Sequence, residues 1–235
     1  MSVLSKLKVY ATKPHPCSYQ DGKEATTLFI DPKTELDEIS YQDLTEIGFR
    51  RSGTHYYRPH CQSCNDCIPA RIPVNAFTPA RRQKRIENKN NDLTVQSVAS
   101  ISGEEYYQLY ANYIESRHED GDMYPPTPDQ YQEFLARQTR FGHFTEFRLE
   151  GKLLAVSVRD NLTDSFSAIY TFFDPEYSNR SLGNFAVLWL ISEAKRQKLD
   201  YVYLGYWIRS CRKMSYKIDY RPIELLLNNR WQTLN

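Results

Sequence analysis

The stretch "SFSAIYTFFDPEYSNRSLGNFAVLWLISEAKRQKLDYVYLGYW", residues 165–207, decides the fold. "SFSAIYTFF" reads as a strand, and "DYVYLGYW" as a second, buried strand. Between them, residues 181–197 form the clearest helix of the chain. Leu182, Phe185, Ala186, Val187, Leu188, Trp189, Leu190 and Ile191 make it apolar almost all round, so it is buried on most sides. Arg180-x-x-Gly183 stands at its amino terminus, where free N–H groups and the helix dipole favour an anion. Gly183 would let a phosphate approach the backbone and Arg180 would neutralise it. An ordinary capped helix reads equally well from the same residues.

The residues upstream give this unit its setting. Ser102 and Glu105 fit a capping box. Tyr106, Leu109, Tyr110, Tyr113 and Ile114 then fall on one helical stripe, with Gly121 as the stop. A second helix opens at Thr127 with Pro128 in its first turn. "HFTEFRLEG" and "KLLAVSVRD" are strands meeting at Glu150-Gly151, a hairpin signal. A basic segment and a last strand near 223–228 close the chain. Three antiparallel strands, a turn, a buried helix and a strand are the setting of the phosphate loop in GNAT-type acyltransferases. The expected fold class is therefore α+β, with a GNAT-like acyltransferase domain over residues 99–235.

Residues 1–98 read differently. Pro14, Pro16, Gly22, Pro32, Gly48, Gly53, Pro59, Pro69, Pro73 and Pro79 punctuate short β-like runs, "ATTLFID" and "ARIPV", and a helix near 37–47. This predicts a smaller, loop-rich, cysteine-containing domain for substrate recognition. Its centre is "YRPHCQSCNDCIPARIPV", residues 57–74. Cys61, Cys64 and Cys67 stand at C-x2-C-x2-C, with Cys17 far upstream. Four thiols suit zinc or an iron–sulfur cluster. They equally suit the packed wall of a pocket. Arg50, Arg51 and Arg58, with His55, His60, Tyr56 and Tyr57, are either solvated turns or a seat for a carboxylate or phosphate.

Net charge is only +1, but the charge is segregated. Residues 79–90 carry Arg81, Arg82, Lys84, Arg85 and Lys89 against Glu87, net +4. Residues 196–221 are net +5, through Arg196, Lys198, Arg209, Arg212, Lys213, Lys217 and Arg221 against Asp200 and Asp219. Residues 104–133 are net −7, and hold His118, Glu119, Asp120 and Asp122 around a glycine turn that lacks the closing glutamate of a calcium loop. The acidic turn is either a solvated helix end or a place to attract and deprotonate an amine. No run of about 18 apolar residues predicts a membrane span. The start, "MSVLSKLKVYATKPHP", lacks the apolar stretch of a secretory signal. Five clustered cysteines do not suggest a secreted disulfide framework, so a cytoplasmic protein is expected.

"CSYQDGKEATTLFIDP", "GFRRSGTHYYRPHCQSCNDCIPARIPV", "DGDMYPPT", "YTFFDPEYSNRSLG" and "YLGYWIRSCRKMSYKIDYRPIELL" together resemble the bacterial aspartate/glutamate leucyltransferases, short relatives of the eukaryotic arginyl-tRNA–protein transferases. The resemblance runs from about residue 10 to the end. It implies transfer of leucine from leucyl-tRNA to the α-amine of proteins beginning with Asp or Glu, which marks them for N-end rule degradation. On that reading Arg50, Arg51, Tyr57, Arg58 and His60 bind the acceptor. Arg81, Arg82, Lys84, Arg85, Arg180, Gly183, Arg212, Lys213 and Lys217 bind tRNA. Asp120, Asp122 and Tyr206 are the catalytic candidates. No cofactor is expected to be required. Cys17, Cys61, Cys64 and Cys67 are the candidate ligands for a metal or iron–sulfur cluster, although the eukaryotic relatives carry adjacent cysteines where this chain has spaced ones. Arginine as the donated residue, a coenzyme-A-dependent amino-terminal acetyltransferase, and a cysteine-rich RNA-binding module are the competing readings.

Overall fold

A computed structural model describes residues 7–235. Residues 1–6, the first part of the segment expected to lack a secretory signal, lie outside the described residues. The amino-terminal part contains β1 (Val9–Ala11), β2 (His15–Pro16), β3 (Glu24–Ala25), β4 (Thr27–Ile30), α1 (Glu38–Glu46), β5 (Arg50–Ser52), β6 (His55–Pro59) and β7 (Ile68–Pro73). Next come α2 (Arg81–Lys89), β8 (Thr94–Val98), α3 (Glu104–Arg117), α4 (Pro128–Tyr131), β9 (Gly142–Leu149), β10 (Lys152–Asn161) and β11 (Ser165–Phe173). The chain ends with α5 (Leu182–Arg196), β12 (Tyr201–Trp207), α6 (Arg212–Ser215), β13 (Ile223–Leu227) and β14 (Arg230–Leu234).

The large sheet has the order β14-β13-β7-β12-β11-β10-β9-β8. It crosses the 98/99 division expected from the sequence, because β7 and β8 both precede that point and both belong to the sheet. β7 sits between β12 and β13, antiparallel to each. The pattern in "ARIPV" shows a strand but not its partner, so the sheet's true extent was invisible from sequence. A small sheet, β1-β4-β6-β5, makes the separate amino-terminal layer.

The two expected helices cover opposite faces. On α3, Leu109, Tyr110, Tyr113 and Ile114 pack on Val156, Val158 and Phe172 of the sheet. On α5, Phe185 and Ala186 meet Phe147 and Leu154, while Leu188 and Ile191 meet Phe166 and Val202. The capping details differ from expectation. Gly103 is the amino-terminal cap of α3 and makes no side-chain bond, and the helix ends at His118 before Gly121 is reached. The Glu150-Gly151 hairpin forms as expected, with φ of 48° and 89°.

One ion pair fastens the small sheet to the large one. Arg51 of β5 donates Nε and Nη2 to the two carboxylate oxygens of Asp160 on β10, at 2.6 and 2.7 Å. The Tyr41 hydroxyl of α1 donates to the same carboxylate at 2.6 Å. Both charged groups are buried. Removing one partner strands the other charge in the interior, a cost of roughly 3–5 kcal/mol. Asp160→Ala is expected to lower unfolding stability by about that amount in denaturant titrations. A variant as stable as the parent would show that the docking does not depend on this pair.

Candidate active site

β11 and β12 are parallel neighbours for three residues only, Ser165–Ser167 against Tyr201–Tyr203, and then part. Each is irregular where they separate. β11 carries an extra residue between Ala168 and Tyr170, and β12 carries one between Tyr203 and Gly205. Gly205 has φ of +77°, which a side chain would resist, and the space beside it is open. On these strands Ser167 Oγ, Tyr170 OH and Trp207 Nε1 are buried without hydrogen-bond partners, Tyr170 packed against the α3 core and Trp207 against Ala70, Ile223 and Leu225. Buried polar groups are ordinarily satisfied, so each is a candidate ligand contact. This gap depends on a parallel pairing across α5, and no sequence pattern showed it.

The small sheet supplies a second part of the site. Its face bearing Phe29, Ser52, His55 and Tyr57 lines a cleft of about 340 Å3, closed by Cys17, Tyr19, Cys61 and Cys67. Arg50 and Arg51 are neighbours on β5, so their side chains leave opposite faces. Arg51 is committed to Asp160, which removes it from the expected acceptor set. Arg50 is 4 % exposed and stacks over Tyr203 and Tyr206, 5.0 and 5.9 Å from their ring centroids. Its Nη1 donates to the Thr45 and Phe49 carbonyls, while Nε and Nη2 have no partner. Among the described residues no carboxylate pairs with Arg50 or with half-buried Arg58. His60 points to solvent. Tyr57 is half-buried and its ring leans on Tyr206 at 6.0 Å.

The cysteines are free and half-buried. Burial, with Cys17, Cys61 and Cys64 nearby, pushes the Cys67 thiol up to about 12. Cys61 leans on the Thr26 carbonyl and Cys64 on the Lys23 ammonium, each at 3.8 Å. The four thiols therefore share a neighbourhood, but among the described residues no three His, Cys, Asp or Glu side chains converge as metal ligands. This donor set does not fit a tetrahedral thiolate site as arranged. Three of the four are instead walls of the cleft or its neighbour.

The remaining expected residues divide. Arg81, Arg82, Lys84 and Arg85 are exposed along α2, and Lys89 at its end donates to the Asn179 carbonyl. Arg180 is held by Asp92 in a two-bond pair at 2.8 Å and also donates to the Lys89 carbonyl. The basic face of α2 is thus tied to the turn that opens α5. Gly183 also has a packing reason: a Cβ there would lie 3.1 Å from the Phe173 ring, so its absence makes room for that aromatic side chain. Arg212 and Lys213 are exposed on α6. Lys217 is not on the surface at all; it is 4 % exposed, with Nζ donating to the Tyr206 carbonyl at 2.6 Å.

Of the catalytic candidates, Tyr206 is buried and its hydroxyl donates to the Gly48 carbonyl at 2.8 Å. Burial also raises its pKa well above the ordinary value. Such a hydroxyl positions the strand and is no free proton donor. Asp120 and Asp122 are exposed, and Asp120 pairs with Lys213, which holds its carboxyl below the usual range. His118 was read from sequence only as part of an acidic turn. It is half-buried, 3.2 Å from the Tyr113 hydroxyl, and burial, Lys213 and Arg117 keep its pKa below the usual value. A neutral imidazole is the better base near neutrality.

Three antiparallel strands, a buried helix and a parallel strand that parts from its neighbour, with a cleft on the small sheet and a basic helix tied to the turn that opens α5, make the α+β, GNAT-like arrangement expected of an acyltransferase domain. The chain matches the family described as "Arginine-tRNA-protein transferase, N terminus" over residues 15–85 and "Arginine-tRNA-protein transferase, C terminus" over residues 105–227, and it belongs to that family. Similar proteins named aspartate/glutamate leucyltransferase are found in Pseudomonas entomophila, 59% identical over 235 residues, and in Pseudomonas fluorescens, 57% identical, each covering 100% of both chains. Among solved structures, L-PGS from Bacillus licheniformis superposes with a TM-score of 0.48 at 11% identity, over 88% of this chain and 70% of that one.

The thiol geometry carries a prediction. Protein dialysed against a strong chelator is expected to keep its melting temperature and its transferase activity together. Joint loss that only added metal restores would overturn the reading of the cysteines as walls.

Proposed function

We propose that this aminoacyl-tRNA–protein transferase moves leucine from leucyl-tRNA to the α-amine of proteins beginning with Asp or Glu, in the cytoplasm, and so feeds them to the N-end rule pathway. The observation that carries the acceptor side is Arg50, a buried guanidinium with two unpartnered nitrogens beside the cleft. Its neighbours Arg51 and Arg71 are both neutralised by carboxylates of this chain. Arg50 has none, and the acceptor's side-chain carboxylate completes it. The names of the relatives support leucine as donor and acidic residues as acceptors.

The reaction needs little chemistry from the protein. An α-amine has an ordinary pKa of about 7.7–8.0, so a sizeable neutral fraction exists near neutrality. The amine nitrogen attacks the ester carbonyl of the charged tRNA. The carbon–oxygen bond to the ribose then breaks, and the amine proton passes to the departing ribose oxygen. His118 serves as the base for that proton, and Asp120 and Asp122 draw the cationic amine toward the site. Ser167, Tyr170 and Trp207 supply polar contacts to the aminoacyl end in the strand gap. An ester becomes an amide, which is downhill without ATP. Positioning and hydrogen bonding to the developing oxyanion do most of the work.

The exposed face of α2, with Arg212 and Lys213, takes the acceptor-stem phosphates. Residues 1–98 carry most of the acceptor recognition, and residues 99–235 most of the transfer machinery.

The deciding experiment incubates the protein and an Asp-starting peptide with leucyl-tRNA, arginyl-tRNA or acetyl-coenzyme A, and reads the peptide mass. Leucine addition is expected; acetylation, arginine addition or no modification would each defeat the proposal. Replacing Arg81, Arg82 and Arg85 by Gln is expected to weaken charged-tRNA binding and flatten its log–log salt slope by about 2. An unchanged slope would place the tRNA elsewhere. Arg50→Ala and Arg58→Ala are expected to cut the preference for Asp- over Asn-starting peptides, for Arg50 by factors of tens to thousands, since losing the partner of a buried charge costs roughly 2–5 kcal/mol. Arg51→Ala should instead show itself as lost stability. Full preference in all three variants would put the carboxylate seat in another part of the molecule.

A further inference from the structure

His118 is the residue on which α3 ends. Its N–H closes the last turn on the Ile114 carbonyl at 2.8 Å, and its own carbonyl accepts from the Gly121 N–H at 3.0 Å. The main chain is held on both sides, so the remaining freedom lies in the imidazole. Among the described residues the ring has one side-chain hydrogen-bond partner, the Tyr113 hydroxyl, 3.2 Å from Nε2. The two rings also pack, with centroids 5.1 Å apart. Neighbours on a helix face are three or four residues apart, and Tyr113 lies further back than that. His118 reaches it because the chain leaves the helix there, at φ of −138°.

Tyr113 is itself held in place. It is buried, and its ring meets Phe173 at 4.8 Å and the edge of Tyr170 at 6.3 Å, both on β11. β11 is one wall of the strand gap. Two residues beyond His118, Asp120 pairs with Lys213 of α6, the helix that follows β12, the other wall. The turn carrying His118 is thus fastened to β11 through Tyr113 and to the continuation of β12 through Asp120. Burial raises the pKa of the Tyr113 hydroxyl, with Arg117 opposing, so the phenol stays protonated near neutrality and is no base of its own.

We propose that Tyr113 is a positioning residue, whose hydroxyl holds Nε2 of His118 so that Nδ1 is the atom that handles the amine proton. This rests on the reading of His118 as the base given above, and adds the group that aims it. As the amine nitrogen bonds to the ester carbon, Nδ1 takes the proton that the nitrogen sheds. As the carbon–oxygen bond to the ribose breaks, Nδ1 returns that proton to the departing oxygen. Between those moments both ring nitrogens carry hydrogen, and Nε2 can only donate. A hydroxyl can accept that bond where a phenyl ring cannot, so Tyr113 steadies the imidazolium as well as orienting the neutral ring.

The surroundings suit a base that is empty at the start. Burial lowers the His118 pKa, Lys213 from α6 and Arg117 from α3 add to the shift, and Asp120 opposes it. The ring is therefore mostly neutral near neutrality, with a lone pair to offer. Removing the Tyr113 hydroxyl takes away an acceptor that favours the charged form, so the midpoint of His118 falls further.

The test measures single-turnover leucine transfer from leucyl-tRNA to an Asp-starting peptide for the parent, Tyr113→Phe, His118→Gln and the double variant. Phe keeps the ring and its packing and removes only the hydroxyl. The saturated rate is expected to fall about tenfold in Tyr113→Phe, with the half-saturating peptide concentration unchanged. His118→Gln should lose at least as much and keep a residual rate, carried by the amine that is already neutral. In that background Tyr113→Phe is expected to cost nothing more, which a purely structural role would not produce. An NMR titration, with the His118 signal assigned by its absence in His118→Gln, should show its midpoint lowered by about half a unit in Tyr113→Phe. A parent-like rate in Tyr113→Phe, an equal cost in both backgrounds, or an unmoved midpoint would each overturn the positioning role. A parent-like rate in His118→Gln would instead overturn the reading of His118 as the base, on which that role rests.

Discussion

The bond from Arg51 to Asp160 is the constraint on which the site depends. It ties the edge strand of the small sheet to the middle of the large one, with Tyr41 adding a third element. Because side chains alternate along a strand, fixing Arg51 in one direction fixes Arg50 in the other. One arginine is used up in docking two layers, and its neighbour is left charged and unpaired beside the cleft. Two adjacent residues of the same type thus have different duties, decided by where each face of β5 points.

The distribution of compensated and uncompensated charge separates scaffold from site across the whole molecule. Arg51 has Asp160; Arg71 has Glu46 and Glu224 and lies 3.6 Å from the Tyr201 ring centroid; Arg180 has Asp92; Arg148 has Glu105 and Glu146. Apart from Arg148–Glu146, which lies within β9, each of these pairs joins parts of the chain distant in sequence. Arg50 and Lys217 are as buried as any of them and lack such a partner. An unpaired buried charge is costly, and on the proposed function the acceptor's carboxylate supplies the charge that Arg50 lacks. Cys17, Cys61 and Cys67 present a soft wall to the cleft.

β12 borders the strand gap and, through the Tyr206 ring on Tyr57, neighbours the cleft. Tyr203 and Tyr206 belong to that strand, face Arg50, and lie just before the point where the 208–217 segment turns back with Lys217. On the proposed function, the donor's ester and the acceptor's amine reach one strand from two sides. For a reaction whose nucleophile is already reactive, such positioning is the larger part of catalysis.

Local pattern was enough for the elements: the apolar run of residues 182–191 makes a buried helix, the stripe from Tyr106 to Ile114 makes an amphipathic one, and Glu150-Gly151 makes a hairpin turn. Those signals are carried by neighbours in sequence, through helical and strand periodicity and backbone preference. Local pattern also marked the 50–60 arginine cluster and the basic run over 81–89. It did not distinguish Arg50 from Arg51, place β7 between β12 and β13, move Lys217 from the surface to the interior, or show that Gly183 makes room for Phe173. Each of those depends on partners far apart along the chain. A residue's type and spacing decide which helix or strand it joins; whether its charge is spent on the fold or kept for a ligand is decided by what the tertiary structure places opposite it.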